Sequence, residues 1–204
     1  KNTFENCENL KTVSFVGEVY ELGNAAFLNW TSLEAVTFVS AQSREGEEEE
    51  TLVTLNLPET ITKVGDSTFS GCTALNKVVL PANTNSIGES AFSGCTGLVE
   101  VILNDVLVSI GKQCFKGCTG LTTFEVPDSV ISIGDNTFDG CSSLTSITLS
   151  DSLEVLGKDI VKNCPLLESI LVAGSFEEGL EKMFEDNNNN KVNGVDIADV
   201  VRAK

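Results

Sequence analysis

Cysteine is the residue with the widest chemical range in this sequence, which carries seven cysteines and no histidine. A thiol can serve as nucleophile, metal ligand or disulfide partner, but nucleophilic pairs and many zinc centres also need histidine. The lack of histidine excludes Ser-His-Asp and Cys-His catalysis, histidine-bound zinc and histidine acid–base chemistry. No Walker loop and no dinucleotide-type Gly-x-Gly-x-x-Gly occurs. Enzymes that rely on carboxylates alone stay possible.

The cysteines recur at a fixed interval together with phenylalanine. A Phe-x-x-Cys pair repeats every 23 residues from Phe69 to Phe138, and the next step places Val161 where phenylalanine is expected. Nearer the start of the chain, Trp30 occupies one cysteine position. Even spacing at a repeat period indicates stacked structural units. The members of this structural ladder are Phe4, Cys7, Phe69, Cys72, Phe92, Cys95, Phe115, Cys118, Phe138, Cys141 and Cys164.

The residues between the cysteines predict the elements that position them. Each cysteine of this ladder is followed by an apolar residue at the third, sixth and eighth positions, as Cys95 is by Leu98, Val101 and Leu103. The last two share one face of a short strand because strand side chains alternate. A second apolar pair follows and ends in glycine, for which we expect an unusual backbone angle in a tight turn. Stacked units can bury these side chains, whereas one unit cannot.

The repeat predicts a right-handed solenoid of the α/β type, mostly β and irregular, with one parallel strand per repeat of about 23 residues and little helix. Residues 1–173 form this solenoid in our interpretation, and the repeat already under way at Thr3 favours excision from a longer chain. The strand rows are expected at 10–15, 33–38, 52–57, 75–80, 98–103, 121–126, 144–149 and 167–172.

One interval breaks the period, because Phe69 follows Phe27 four residues too early for two full repeats. Residues 41–50, which end in four successive glutamates, replace a Phe-x-x-Cys turn there. We interpret this segment as a solvated surface loop, because like charges repel each other. A site for calcium or for a cationic partner is the alternative.

The order of residues resembles the BspA-like, or Treponema-type, leucine-rich repeats. The shared pattern is Ile-Gly-x-x-x-Phe-x-Gly-Cys-x-x-Leu, which stands at residues 87–98 and again from residue 133. The resemblance covers about residues 1–173, and Trp30, Val161 and the acidic loop depart from it. This family is typically found in bacterial or protist surface proteins of adhesion and host contact. The resemblance therefore implies a surface or secreted recognition scaffold that performs no chemistry.

The regular spacing also predicts the state of the cysteines. Disulfide frameworks rarely place cysteines at the structural period, and seven is an odd number. We therefore predict buried, reduced thiols, although neighbouring sulfurs could approach within disulfide reach. A column of thiols does not converge into a tetrahedron, so we expect no zinc site. Cys114 stands where other units carry threonine or alanine, which predicts a small packed residue.

The outward face of the strands is the expected binding surface. Alternation places the fifth and seventh residues after each cysteine on that face, and most of them are small and typical of an exposed sheet. Val79 and Ile102 differ because they would form an apolar spot among charged neighbours, as protein contacts often do. We predict a ligand-binding face made of Lys77, Val79, Glu100, Ile102, Thr123 and Glu125.

The pattern changes after residue 173. A Ser-x-x-Glu capping box at Ser175 and apolar residues at helical spacing predict a capping helix over residues 174–184. Residues 185–204 resemble half of a type I dockerin, a calcium-binding module that tethers proteins to cohesin partners. A solvated linker rich in asparagine is the alternative. The EF-hand register gives a weak Ca²⁺ site formed by Glu185, Asn187, Asn189, Lys191, Asn193 and Asp196.

Charge restricts the partners further. The chain has 30 acidic and 13 basic residues, a formal net charge of -17, which disfavours nucleic acid and anionic lipid. No apolar run is long enough to span a membrane. We therefore expect an extracellular or cell-surface scaffold that binds a protein, such as a host matrix protein, or a glycan. The alternatives are an accessory module or carboxylate enzyme of a carbohydrate-active complex, tethered through the tail, and a structural spacer.

Overall fold

A computed structural model defines the fold of the chain and describes residues 9–16, 19, 22–33, 35–39, 54–172, 191–192, 195–196 and 200–203. The backbone winds as a parallel β-solenoid with almost no helix, which confirms the predicted fold class. Each regular turn contributes a strand of about three residues to a main sheet and a strand of two residues to a second sheet.

A strand lies in every one of the eight rows predicted from the sequence. These strands are β1 (Thr12–Val16), β2 (Ala35–Val39), β3 (Thr54–Asn56), β5 (Lys77–Val79), β7 (Glu100–Ile102), β9 (Thr123–Glu125), β11 (Ser146–Thr148) and β13 (Ser169–Val172). The apolar residues that flank each strand explain this agreement, since only stacking on the next turn removes them from water.

The second sheet adds to the single strand per repeat that the sequence predicts. It consists of β4 (Lys63–Val64), β6 (Ser86–Ile87), β8 (Ser109–Ile110), β10 (Ser132–Ile133) and β12 (Val155–Leu156), paired in that order. Two residues are too few for an alternation pattern, so this strand cannot be recognised from periodicity.

Phenylalanine and cysteine fill the space between the two sheets. Rings on successive turns stack almost parallel, with centroids 5.4 Å apart for Phe69 and Phe92 and 5.8 Å apart for Phe115 and Phe138. The six described cysteines are buried and free of disulfides. Five of these, Cys72, Cys95, Cys118, Cys141 and Cys164, are members of the predicted ladder and recur in successive turns. Phe4 and Cys7 lie outside the described residues, and the reduced state stays a prediction. Trp30 is fully buried in the cysteine position, against the edge of Phe27.

The glycine that ends each short strand plays a different role from the one expected. Gly88 and Gly111 do not have positive φ, which falls instead two residues later, at Ser90 and Gln113, with φ of 56°. Glycine is needed because the turns approach closely: a Cβ on Gly111 would lie 2.5 Å from the carbonyl carbon of Gly88. The expectation of an unusual angle at this glycine was therefore wrong.

Within the described residues, the hydrogen-bonded ladders of the main sheet stop at two places. Its ladders join β1 to β2, β3 to β5 and β7, and β9 to β11 and β13. The first interruption, between β2 and β3, coincides with residues 41–50, which lie outside the described residues. The second interruption, between β7 and β9, falls inside the regular repeat and has no counterpart in the spacing of the sequence.

The end of the chain returns to the main sheet. Strand β16 (Val201–Ala203) pairs in parallel with β13, and Val200 and Val201 are buried. Strands β14 (Lys191–Val192) and β15 (Val195–Asp196) form an antiparallel hairpin. The capping helix predicted over residues 174–184 lies outside the described residues, so it stays a prediction.

Candidate functional site

Strands β5 and β7 bring together four residues of the predicted binding face. Lys77 pairs in register with Glu100, and Val79 pairs with Ile102. The Lys77 ammonium lies 2.8 Å from the Glu100 carboxylate, while Ile102 is 42% exposed. The outward side of these strands therefore carries an apolar pair beside an ion pair.

Strand β9 places the other two residues of that face across an opening. Thr123 and Glu125 are exposed on β9, but no ladder joins this strand to β7. A cleft of about 870 Å³ occupies the opening, and its lining includes the residues of both strands. This volume lies within the roughly 300–1,000 Å³ of typical ligand sites. The predicted face is thus divided into two parts by a cleft.

The cleft is strongly acidic. Glu100, Asp105, Glu125 and Asp128 line it, and its lining contains no lysine or arginine. The Lys77 ammonium neutralises Glu100 from the neighbouring strand, which leaves an excess of negative charge at the cleft. Charges that line a cleft focus the local field, so a cationic ligand would be attracted there.

Phe124 distinguishes the turn that borders the cleft. The corresponding position holds valine or isoleucine in the neighbouring turns, namely Val78, Val101, Ile147 and Ile170. The Phe124 ring packs 4.9 Å from Phe115 of its own turn and 4.7 Å from Phe138 of the following turn, between ring centroids. We attribute the opening to this packing, which ties β9 to the following turn and away from β7. The lone aromatic residue at this repeat position was the available signal, and the sequence reasoning missed it.

The buried thiols do not form a reactive site. Burial raises the pKa of the Cys72 thiol to about 12 and that of Cys164 to about 11, because a thiolate is poorly solvated there. Burial raises the pKa of Cys95 and Cys118 well above the usual value, and neighbouring cysteines in the column add to this effect. A thiol that stays protonated is neither a nucleophile nor a metal ligand.

The described residues meet neither the requirements of a metal site nor those of a membrane span. Within residues 54–172 and the shorter described segments, no group of three cysteine, aspartate or glutamate side chains is placed to hold a metal ion. No helix in the described part of the chain has the length and apolarity of a membrane span.

The predicted calcium loop falls mainly outside the described residues, which omit Glu185, Asn187, Asn189 and Asn193. The two positions that are described, Lys191 and Asp196, are register partners in the hairpin of β14 and β15. The two residues between these strands are asparagine and glycine, a frequent hairpin turn that the sequence reasoning overlooked. Calcium binding stays a prediction.

Comparison with known proteins matches the repeat and the fold. Six copies of the BspA type leucine rich repeat region match residues 1–47, 47–125 and 108–194. No curated protein sequence matches the chain. The solved structure of a T. pallidum leucine rich repeat protein is 22% identical, with a TM-score of 0.68 over 91% of this chain and 86% of that one.

Two further solved structures share the fold but are longer. A leucine rich cell surface protein from Faecalibacterium prausnitzii is 21% identical, with a TM-score of 0.64 over 90% of this chain and 52% of that one. A leucine-rich repeat protein from Bacteroides ovatus is 22% identical, with a TM-score of 0.58 over 100% of this chain and 56% of that one. This chain thus spans about half the length of these two proteins. With the family match extending over most of its residues, the chain belongs to the BspA type leucine-rich repeat family.

Proposed function

We propose that this chain is a non-enzymatic recognition scaffold, secreted or held at a bacterial cell surface, that binds a protein through the outward face of its main sheet. The observation that carries this proposal is the pair Val79 and Ile102, two apolar side chains in register beside the Lys77–Glu100 ion pair and an acidic cleft. An apolar centre with a charged rim is the usual composition of a protein interface.

The fold supports a scaffold rather than an enzyme. The described core is filled by apolar side chains, and the thiols among them stay protonated because they are buried. Leucine-rich repeat proteins generally bind proteins, and the Faecalibacterium prausnitzii relative is described as a cell surface protein. Location at the surface and a role in adhesion are part of the proposal. A protein ligand is favoured over a glycan because the face combines aliphatic side chains with charges.

A matched pair of substitutions tests the binding face. Val79→Lys places a charge in the apolar spot, whereas Val155→Lys makes the same change on the second sheet, where valine is 57% exposed. The chain would be presented to purified host matrix proteins, to a cohesin and to a glycan array. We expect a matrix protein to bind, with affinity reduced about tenfold or more by Val79→Lys and unchanged by Val155→Lys.

Three results would contradict this proposal. Equal weakening by the two substitutions would show that the outward face has no special role. Hydrolysis of a glycan by the purified chain, abolished by substitution of a carboxylate in the acidic cleft, would show that the chain is an enzyme. Binding of the cohesin in a calcium-dependent manner would favour the tail as the interaction site instead.

A further inference from the structure

The opening between β7 and β9 leaves backbone groups without the partners they have elsewhere in the solenoid. Thr145 N–H donates to the Thr122 carbonyl at 2.8 Å, but Thr122 N–H forms no such bond to Val99. At the other end of the strands, Leu103 N–H forms no bond to the Glu125 carbonyl, although neighbouring turns make this bond at 2.8–2.9 Å. Within residues 54–172, two strand edges thus face each other across the cleft without a shared ladder.

The opening is local and is closed at both ends. On one side, Gly94 N–H donates to the Lys116 carbonyl at 2.7 Å. On the other side, Ile131 N–H donates to the Val108 carbonyl at 3.0 Å, and β8 remains paired with β10. The two turns are therefore held together around a short slit, so the cleft is a defined site and not the junction of two separate units.

The slit also uncovers apolar side chains that other turns bury. Val101 and Leu103 are half-buried, whereas Val78 and Ile147, which match Val101 in the neighbouring turns, are completely buried. Unpaired backbone groups at the strand edges and exposed apolar side chains both make the open sheet less stable than a closed sheet. An extended chain in the slit would satisfy the edge groups and cover these side chains, because a strand presents backbone groups sideways and side chains to its two faces.

Charge selects among extended chains. Four carboxylates, those of Glu100, Asp105, Glu125 and Asp128, line the slit, and no basic side chain does. An acidic peptide would be repelled, whereas lysine or arginine side chains at alternate positions would point toward these carboxylates.

From these relationships we infer that the slit between β7 and β9 accepts an extended, basic segment of a protein partner as an added β-strand. Strand addition to an open edge is a general mode of peptide recognition in which backbone bonds provide affinity and side chains provide specificity. The inference rests on the proposed function, because it names the part of the partner that enters the cleft beside the binding face.

A short peptide of alternating lysine and valine is the probe. We expect it to bind the chain, with protection of the Val101, Leu103 and Glu125 amides from hydrogen exchange. The same peptide with its alternate backbone amides N-methylated should bind about tenfold or more weakly, since it cannot donate to one of the two edges. A peptide of alternating glutamate and valine should not bind.

Substitutions separate this inference from the proposed function. Glu125→Lys, at an exposed position, should weaken binding of the lysine–valine peptide. Phe124→Ile should also weaken this binding, because it allows the slit to close. Val79→Lys should weaken binding of the matrix protein, and it should weaken binding of the peptide much less than Glu125→Lys does, because Val79 lies one strand away and does not line the slit. Equal binding of the N-methylated and unmodified peptides, or absence of peptide binding by the folded chain, would overturn the inference, while the Val79→Lys result would stand on its own.

Discussion

The Cys118 thiol donates a hydrogen bond to the backbone carbonyl of Phe92 in the preceding turn, with 3.2 Å between sulfur and oxygen. The column repeats this contact from Cys72 to Phe27, Cys95 to Phe69, Cys141 to Phe115 and Cys164 to Phe138. Each thiol therefore fills a small buried space and also satisfies a carbonyl oxygen that water cannot reach.

Replacement of one thiol should destabilise the solenoid. Cys118→Ala removes a buried sulfur and its hydrogen bond, and we expect a loss of about 1–3 kcal/mol in the free energy of unfolding. Ser142→Ala, at an exposed position next to the column, should change it by less than about 0.5 kcal/mol. Urea titration followed by circular dichroism measures both. An unchanged midpoint for Cys118→Ala would show that the thiol contributes nothing to stability.

The buried thiols also predict a loss of stability at high pH. Burial raises the pKa of Cys72 from 9.0 to about 12, so between these values the folded chain holds a proton that the unfolded chain has released. The free energy of unfolding therefore decreases as pH rises above 9.0, by about 1.4 kcal/mol per pH unit for each such thiol. Below pH 9.0 this contribution is fully present.

Comparison of Cys72→Ala with the unsubstituted chain isolates that effect. Urea unfolding at a series of pH values between 8 and 11 should give a shallower decrease for the variant, by about 1.4 kcal/mol per pH unit. Ser142→Ala should retain the original slope. Parallel curves for Cys72→Ala and the unsubstituted chain would contradict the raised pKa.

The close approach of the glycines that end the short strands predicts that one added methyl group strongly lowers the stability of the solenoid. Gly111→Ala would place its Cβ 2.5 Å from a backbone carbon of Gly88, and backbone cannot move aside without separating the turns. We expect a loss of about 2 kcal/mol or more in the free energy of unfolding. Gly23→Ala is the matched control, since no atom lies within 4 Å of its added Cβ. Equal stability of the two variants in thermal denaturation would argue against close stacking at Gly111.

Substitution of Phe124 should change the strand pairing of the main sheet. Phe124→Ile restores the side-chain type found in the neighbouring turns, and we expect β7 and β9 to form a ladder as their counterparts do. The amides of Val101 and Leu103 should then exchange with solvent about tenfold or more slowly, as measured by NMR. Leu80, which already bonds to Ile102 at 2.9 Å, is the internal control. Unchanged hydrogen-exchange rates of these two amides would show that Phe124 does not cause the opening.

Sequence reasoning succeeded wherever a residue acts by filling a repeated slot. Phe92, Cys95 and Leu98 could be placed in the core because residues at one period must contact their own counterparts in adjacent turns. The role of Gly111 could not be placed in this way. Its spacing indicates only that a side chain is not tolerated, whereas the distance between turns shows that close approach, and not backbone angle, is the cause.

The outward face of the main sheet could likewise be predicted only in part from the sequence. The register of Val79 with Ile102 follows from the interval of 23 residues, since equal spacing places equivalent residues side by side. The separation of Ile102 from Glu125 does not follow from spacing, because the interval between those two turns is unchanged. We attribute it to Phe124, whose ring packs against the rings of Phe115 and Phe138.

The sequence by itself determined the repeat, the stacked core and the positions of the eight repeat strands of the main sheet. Those features are periodic, and a buried side chain that recurs at one interval has few ways to leave water. Tertiary structure alone decided which turns share hydrogen bonds, where the sheet opens and where Val201 joins it beside Ile170. These depend on small displacements of packed groups and on contacts between residues far apart in the chain, and neither leaves a mark in the spacing of residues.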